Sequence, residues 1–99
     1  MFVAMSRFTI ANGMTEPVRE AFRCRPRVVE QAPGFVRMDV IGPADHQEEI
    51  WLITYWTDEE SYRVWHRSHE YHASHAGIPK GLKLVPGSVR IDFFEHITS

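Results

Sequence analysis

The chain is predicted to be an α+β domain of the ferredoxin-like class, βαββαβ, with a four-stranded antiparallel sheet carrying two helices on one face. Three observations predict it. Four segments have the composition and alternation of strands, two have helical spacing, and turn residues separate all six. At 99 residues there is room for one two-layer domain spanning 1–99 and for no second lobe.

The first strand is Phe2 to Ile10, rich in β-formers and closed by the turn pair Asn12-Gly13. Thr15 then opens a helical pattern in which Val18, Phe22 and Val29 fall on one side. Pro26 interrupts it, because an interior proline costs a helix about 3 kcal/mol. The helix is therefore expected to kink there, or to end at Arg25 and restart with Pro26 as its first residue.

Pro33-Gly34 ends that region, and Phe35 to Ile41 alternates as a second strand. After a polar loop from Gly42 to Gln47, which carries His46, comes Glu49 to Trp56. Both alternating sets of that third strand are largely apolar, so both of its faces need cover. Thr57-Asp58-Glu59-Glu60 reads as a capping box, with Thr57 as the cap and Glu60 reaching back. It launches a second helix to about His75, stopped by Ala76-Gly77 and Pro79. Ile78 to Gly87 is a loop, and Ser88 to Ile97 alternates as the fourth strand.

Helices on one face leave the other face of the sheet bare. Phe2 or Val3, Trp51 or Leu52, and Phe93 or Phe94 must point there, a larger apolar patch than soluble monomers normally show. A symmetric homodimer packing sheet against sheet removes it, and that assembly is expected.

Composition excludes several function classes. A formal net charge of −2 argues against a nucleic-acid partner. Arg19, Arg23, Arg25 and Arg27 cluster, but Glu16, Glu20 and Glu30 interleave with them, as on a solvated helix face. Cys24 is alone, so neither an intrachain disulfide nor a thiolate cluster can form, and a reducing cytoplasm is the natural setting. The apolar opening ends at Ser6-Arg7, too short for a membrane span or signal core. No glycine-rich phosphate loop or paired-carboxylate motif is present.

What remains is the segment Trp51 to His75, which holds three tryptophans, three tyrosines and four histidines. Rigid apolar rings beside groups that titrate near neutrality are what a pocket for a flat organic ligand needs. On the second helix Val64, Ser68, Tyr71 and His75 share one stripe, with Tyr62, Trp65 and His69 on the next. One stripe must pack on the sheet and the other can line a pocket. His66, His69, His72 and His75 advance by three, so they spiral around a helix instead of converging on a tetrahedral metal site.

These residues also carry a resemblance. The opening Phe2-Val3-Ala4-Met5-Ser6-Arg7-Phe8, then Pro33-Gly34-Phe35, Trp56-Thr57 with Tyr62 and Trp65, and Ala73-Ser74-His75 together resemble the antibiotic biosynthesis monooxygenase superfamily. Within it they look most like the haem-degrading branch. The resemblance implies a dimeric α/β barrel built from the fold derived above. It also implies a haem whose proximal iron ligand is His75 and whose porphyrin is distorted by Trp65, ten residues earlier. The family's third functional residue is an asparagine on the first strand; this chain has Ser6 there, a shorter hydrogen-bond donor.

Three functions follow. One is a haem-binding monooxygenase in which His75 ligates, Trp65 distorts and the Ile78 to Gly87 loop excludes water. Another is a cofactor-free monooxygenase of a phenolic or quinol-like aromatic, positioned by Tyr55, Trp65 and His75, with His75 or His69 as base. The last is a non-catalytic small-ligand binder on the same dimeric scaffold.

Overall fold

The computed structural model describes residues 1–68 and 78–99. Its elements are β1 (Phe2–Thr9), α1 (Thr15–Arg23), a 3-10 turn (Val29–Gln31), β2 (Phe35–Ile41), β3 (Glu49–Trp56), α2 (Glu59–His66) and β4 (Arg90–Glu95). The strands form one antiparallel sheet in the order β2-β3-β1-β4, which is the expected ferredoxin-like topology.

Pairing assigns every strand residue to a face. Phe2 lies opposite Trp56, Ala4 opposite Thr54, Ser6 opposite Leu52 and Phe8 opposite Ile50, and this set faces the helices. On β4, Ile91 and Phe93 pair with Ser6 and Ala4 and share that face. Val3, Met5, Arg7, Trp51, Ile53, Tyr55 and Phe94 take the opposite face by alternation.

That second face is less greasy than expected. Arg7 lies over the Trp51 ring at 5.4 Å and Arg37 over Tyr55 at 4.4 Å, so cations cover part of its aromatic surface. Phe94 and Ile41 nonetheless stay about half exposed.

Local chemistry corrects several of the expected boundaries. α1 ends at Arg23 and nothing helical restarts at Pro26; the next turn begins at Val29, three residues further on. Pro17 is tolerated because it sits in the first turn of α1, where amides have no intrahelical partner. At α2 the cap is Asp58, not Thr57: the Asp58 carboxylate accepts from the Ser61 amide at 2.8 Å, which holds its pKa below the ordinary value. Thr57 instead donates its amide to the Gly34 carbonyl at 2.8 Å, so it still belongs to the end of the strand. β4 is shorter than the expected Ser88 to Ile97 at both ends. α2 ends at His66 with Arg67 as its C-cap and Ser68 already outside it, so the helix expected to run unbroken to about His75 stops short; residues 69–77 lie outside the described residues.

The core is in two parts. Ala4, Val29, Trp56, Tyr62 and Trp65 form one cluster, and Ile10, Val18 and Ile50 the other. No helix among the described residues is long and apolar enough to cross a membrane.

Candidate functional site

Between the two core clusters lies a cavity of about 270 Å³. Its floor is the helix-facing side of β1 and β3, at Ala4, Ser6, Phe8, Leu52 and Thr54. α1 contributes Val18 and Phe22 on one side, and α2 contributes Tyr62, Trp65 and His66 on the other. Ile78, Pro79, Leu82 and Leu84 close part of the remaining edge, and Leu84 is tied to β1 through a bridge to Ile10.

One side stays open. Ile78, Val89 and Ile91 border the cavity yet remain 39%, 56% and 45% exposed. An apolar rim left in water is the usual mark of a binding mouth.

Trp65 serves both as core and as wall. Its indole is 8% exposed, lies 6.5 Å from Trp56 between centroids, and borders the cavity. Trp56 in turn meets Tyr62 edge-on at 5.9 Å and Phe35 at 5.4 Å. Edge-to-face contacts of this kind are favourable beyond area burial alone. Of the two helix stripes, the one with Tyr62 and Trp65 packs on the sheet, while Val64 on the other is 51% exposed.

The polar groups of the wall divide by how much of their bonding capacity is already used. Thr54 accepts from the Trp56 indole N–H at 2.9 Å and donates to the Ala4 carbonyl at 3.5 Å, so its hydroxyl is committed to the fold. Arg25 borders the cavity with its side chain 13% exposed, and donates to both carboxylate oxygens of Glu30 at 3.1 and 2.7 Å. That pairing holds the Glu30 carboxyl below its ordinary pKa. A guanidinium has five N–H donors, so Arg25 retains some for a ligand. The Ser6 hydroxyl has no partner among the described residues and is half-buried at the cavity floor.

Of the residues singled out in the sequence, Trp65 and Ser6 thus meet at one cavity, and the loop Ile78 to Gly87 borders it. Tyr55 does not belong with them. It faces the other side of the sheet, under Arg37, because β3 alternates and Trp56 and Thr54 take the helix side. His69, His72 and His75 lie outside the described residues. Among the described residues no three His, Cys, Asp or Glu side chains are placed to hold a metal ion. Thr54, Arg25 and His66 border the cavity without having been assigned to it from sequence. A threonine in an otherwise apolar strand face was the one available signal for Thr54.

Comparison with known proteins agrees with this fold. A profile of the antibiotic biosynthesis monooxygenase family matches residues 1–77. A heme oxygenase (mycobilin-producing) of Mycobacterium tuberculosis is 25% identical over 95 residues, covering 91% of this chain and 90% of its own. Among solved structures, the heme-degrader MhuD from Mycobacterium tuberculosis, with two hemes bound in its active site, superposes with a TM-score of 0.80. It is 21% identical, over 100% of this chain and 98% of that one. SnoaB, a cofactor-independent oxygenase from Streptomyces nogalater, superposes with a TM-score of 0.75 at 18% identity, over 99% and 94%. At such identities the structural likeness speaks for the fold.

Proposed function

We propose that this chain, which belongs to the antibiotic biosynthesis monooxygenase family, is a haem-degrading oxygenase whose cavity takes the porphyrin. The observation that carries the reading is a single one: the Trp65 indole walls an apolar cavity whose far rim, at Ile78, Val89 and Ile91, is left open to water. A flat macrocycle wider than the cavity enters such a slot edgewise and covers the exposed rim. The similarity to a mycobacterial heme oxygenase over most of both chains supports the same reading.

The residues fit the group chemically. The walls are apolar, and Arg25 offers a guanidinium at the border for an anionic substituent. Bound there, haem would supply an iron centre for dioxygen chemistry and, as substrate, the ring to be opened. The protein's part is positioning. In this reading the His75 imidazole would hold the iron, Trp65 would press on the ring and distort it, and the Ser6 hydroxyl would donate a hydrogen bond in the site. The loop from Ile78 to Gly87 keeps water from the mouth. A homodimer joined through the face of Val3, Ile53 and Phe94 completes the proposal, since that face retains exposed apolar surface.

Hemin titration of the purified chain tests this. One sharp Soret band should grow to one equivalent per chain and be lost in His75→Ala. Binding no stronger than to serum albumin, or unaltered by that substitution, removes the haem assignment.

A second reading rests on the size of the cavity. At about 270 Å³ it is just below the usual 300–1,000 Å³ of small-molecule sites, and holds a ligand of two or three fused rings without any movement. A cofactor-free oxygenase of a quinol-like aromatic would use it as it stands. Oxygen uptake with a quinol panel in haem-free protein supports that reading, and its absence across the panel removes it.

A further inference from the structure

We infer that His66 is the proton-accepting, specificity-determining residue of this cavity, selecting flat aromatic ligands that carry an acidic ring hydroxyl. The inference goes beyond haem binding and stands without it.

His66 borders the cavity beside Trp65, and its ring stacks on Tyr62 at 5.6 Å between centroids and 27° between planes. Tyr62 is itself clamped, 7% exposed and edge-on to Phe93 at 5.6 Å, so the imidazole rests on a fixed surface. An imidazole can keep a protein partner on one ring nitrogen while the other meets a ligand. Across the cavity Ser6 offers a hydroxyl with no partner among the described residues. Thr54 is committed to Trp56 and Ala4, so His66 and Ser6, together with the donors Arg25 keeps beside Glu30, supply polar groups to a largely apolar site. Ser6 is paired with Ile91 across β1 and β4, which puts its hydroxyl near the open rim.

The surroundings decide which way a proton moves. His66 is the last residue of α2, beside the unpaired carbonyls of the helix end. Charges nearby are largely balanced: Arg63 pairs with Glu59 at 3.3 Å, Arg25 with Glu30, and Arg67 caps the helix in solvent. β1, β3 and β4 present Ala4, Ser6, Thr54, Ile91 and Phe93 to this side, none of them charged. A proton leaving the ligand hydroxyl for the imidazole therefore creates an adjacent ion pair, imidazolium beside aromatic oxyanion, with Ser6 donating to the oxygen. No electrons move in this step. An ordinary phenol, ionising near 10, is a weak proton donor at neutral pH, so the transfer favours a more acidic hydroxyl. The ligand class is accordingly hydroxy-aromatics whose hydroxyl ionises near neutrality, such as hydroxyquinones and hydroxycoumarins.

The test uses haem-free protein with 7-hydroxycoumarin, whose neutral and ionised forms absorb differently, and 7-methoxycoumarin, which lacks the proton. In the native chain the bound hydroxy probe should ionise about one pH unit below the free probe. His66→Gln and His66→Phe, the latter keeping a ring on Tyr62, should abolish that shift and weaken hydroxy-probe binding about tenfold, the size of one charge-assisted hydrogen bond. Both variants should hold the methoxy probe as the native chain does. Native protein that binds neither probe, a bound probe that ionises as it does in water, or equal losses for both probes in both variants would overturn the assignment.

Discussion

Thr54→Val exchanges one hydroxyl for a methyl of the same shape, and the structure says what that hydroxyl does. Trp56 is 0% exposed, and its indole N–H has the Thr54 oxygen as its acceptor at 2.9 Å. With valine the N–H faces a methyl group inside the core. A buried donor left without a partner costs about 1–3 kcal/mol. The second bond, from Thr54 to the Ala4 carbonyl, is 3.5 Å long and adds little, so a loss of about 2 kcal/mol is expected. For a domain of this size that corresponds to a Tm lower by roughly 8–16 °C. Urea unfolding followed by tryptophan fluorescence measures it, with the slope checked for constancy. The informative comparison is a double-mutant cycle with Trp56→Phe, which removes the donor. In that background Thr54→Val should be nearly neutral. An unchanged midpoint in the single variant, or the same loss in both backgrounds, would mean that the hydroxyl does not serve the indole and remains available to a ligand.

Gly34 holds φ at +82°, and a Cβ there would meet the Ser61 side chain and lie 2.9 Å from Thr57 Oγ1. Gly34→Ala should therefore cost about 2–4 kcal/mol from backbone strain and overpacking together, read from thermal unfolding; a loss below 1 kcal/mol contradicts the close approach of α2 to this turn. Glu30 has its folded pKa depressed mainly by the hydrogen bond from Arg25. Its contribution to stability is thus complete above the unfolded carboxylate value and disappears as pH falls through the folded one. The urea midpoint of Glu30→Gln should fall less than the native midpoint between pH 6 and pH 3, and identical slopes would show that the pair contributes nothing.

The middle strands were legible to the residue. Phe35–Ile41 and Glu49–Trp56 begin and end at the expected residues, because Pro33-Gly34 and a polar loop bound two runs of strand-forming residues. Boundaries governed by competition between neighbours were not. Thr57 and Asp58 are both good caps, and only a tertiary contact, the hydrogen bond from the Thr57 amide to the Gly34 carbonyl, leaves the role to Asp58. Pro26 says where a helix cannot continue and nothing about where the next turn starts.

The arginine cluster shows the same limit at the site. Its reading as a solvated face holds for Arg23, which is 55% exposed and bonds Glu16 and Glu20. It fails for Arg25, whose side chain turns inward to Glu30 and the cavity once the helix has ended. Spacing on a helix carries no information past the helix end, so a residue two positions beyond Arg23 escapes the pattern. Trp65 was legible because size and position forced it against the sheet. His66, its neighbour in sequence, belongs to a spiral of histidines whose spacing speaks about metal ligation and says nothing of one ring beside a cavity.

The surplus of aromatic residues that marked Trp51 to His75 has a mechanical explanation in the divided core. A domain this small ordinarily builds one contiguous cluster, whereas here the cavity borders both clusters, with Trp65 and Tyr62 from one and Val18 from the other along its wall. An interior given over to a cavity loses the contacts that would have filled it. Few rings of large area can restore them at the edge. Trp56 does so at the centre, with Phe35, Tyr62 and Trp65 around it at 5.4, 5.9 and 6.5 Å between centroids, where α2 meets the sheet. The same rings that anchor the helix therefore present the cavity with its flattest wall, so binding surface and fold cohesion draw on one set of residues. That coupling makes large truncations at Trp65 poor probes of function, since they unfold before they inform. Substitutions at Ser6, His66 and Arg25, which border the cavity but belong to neither core cluster, separate the two roles.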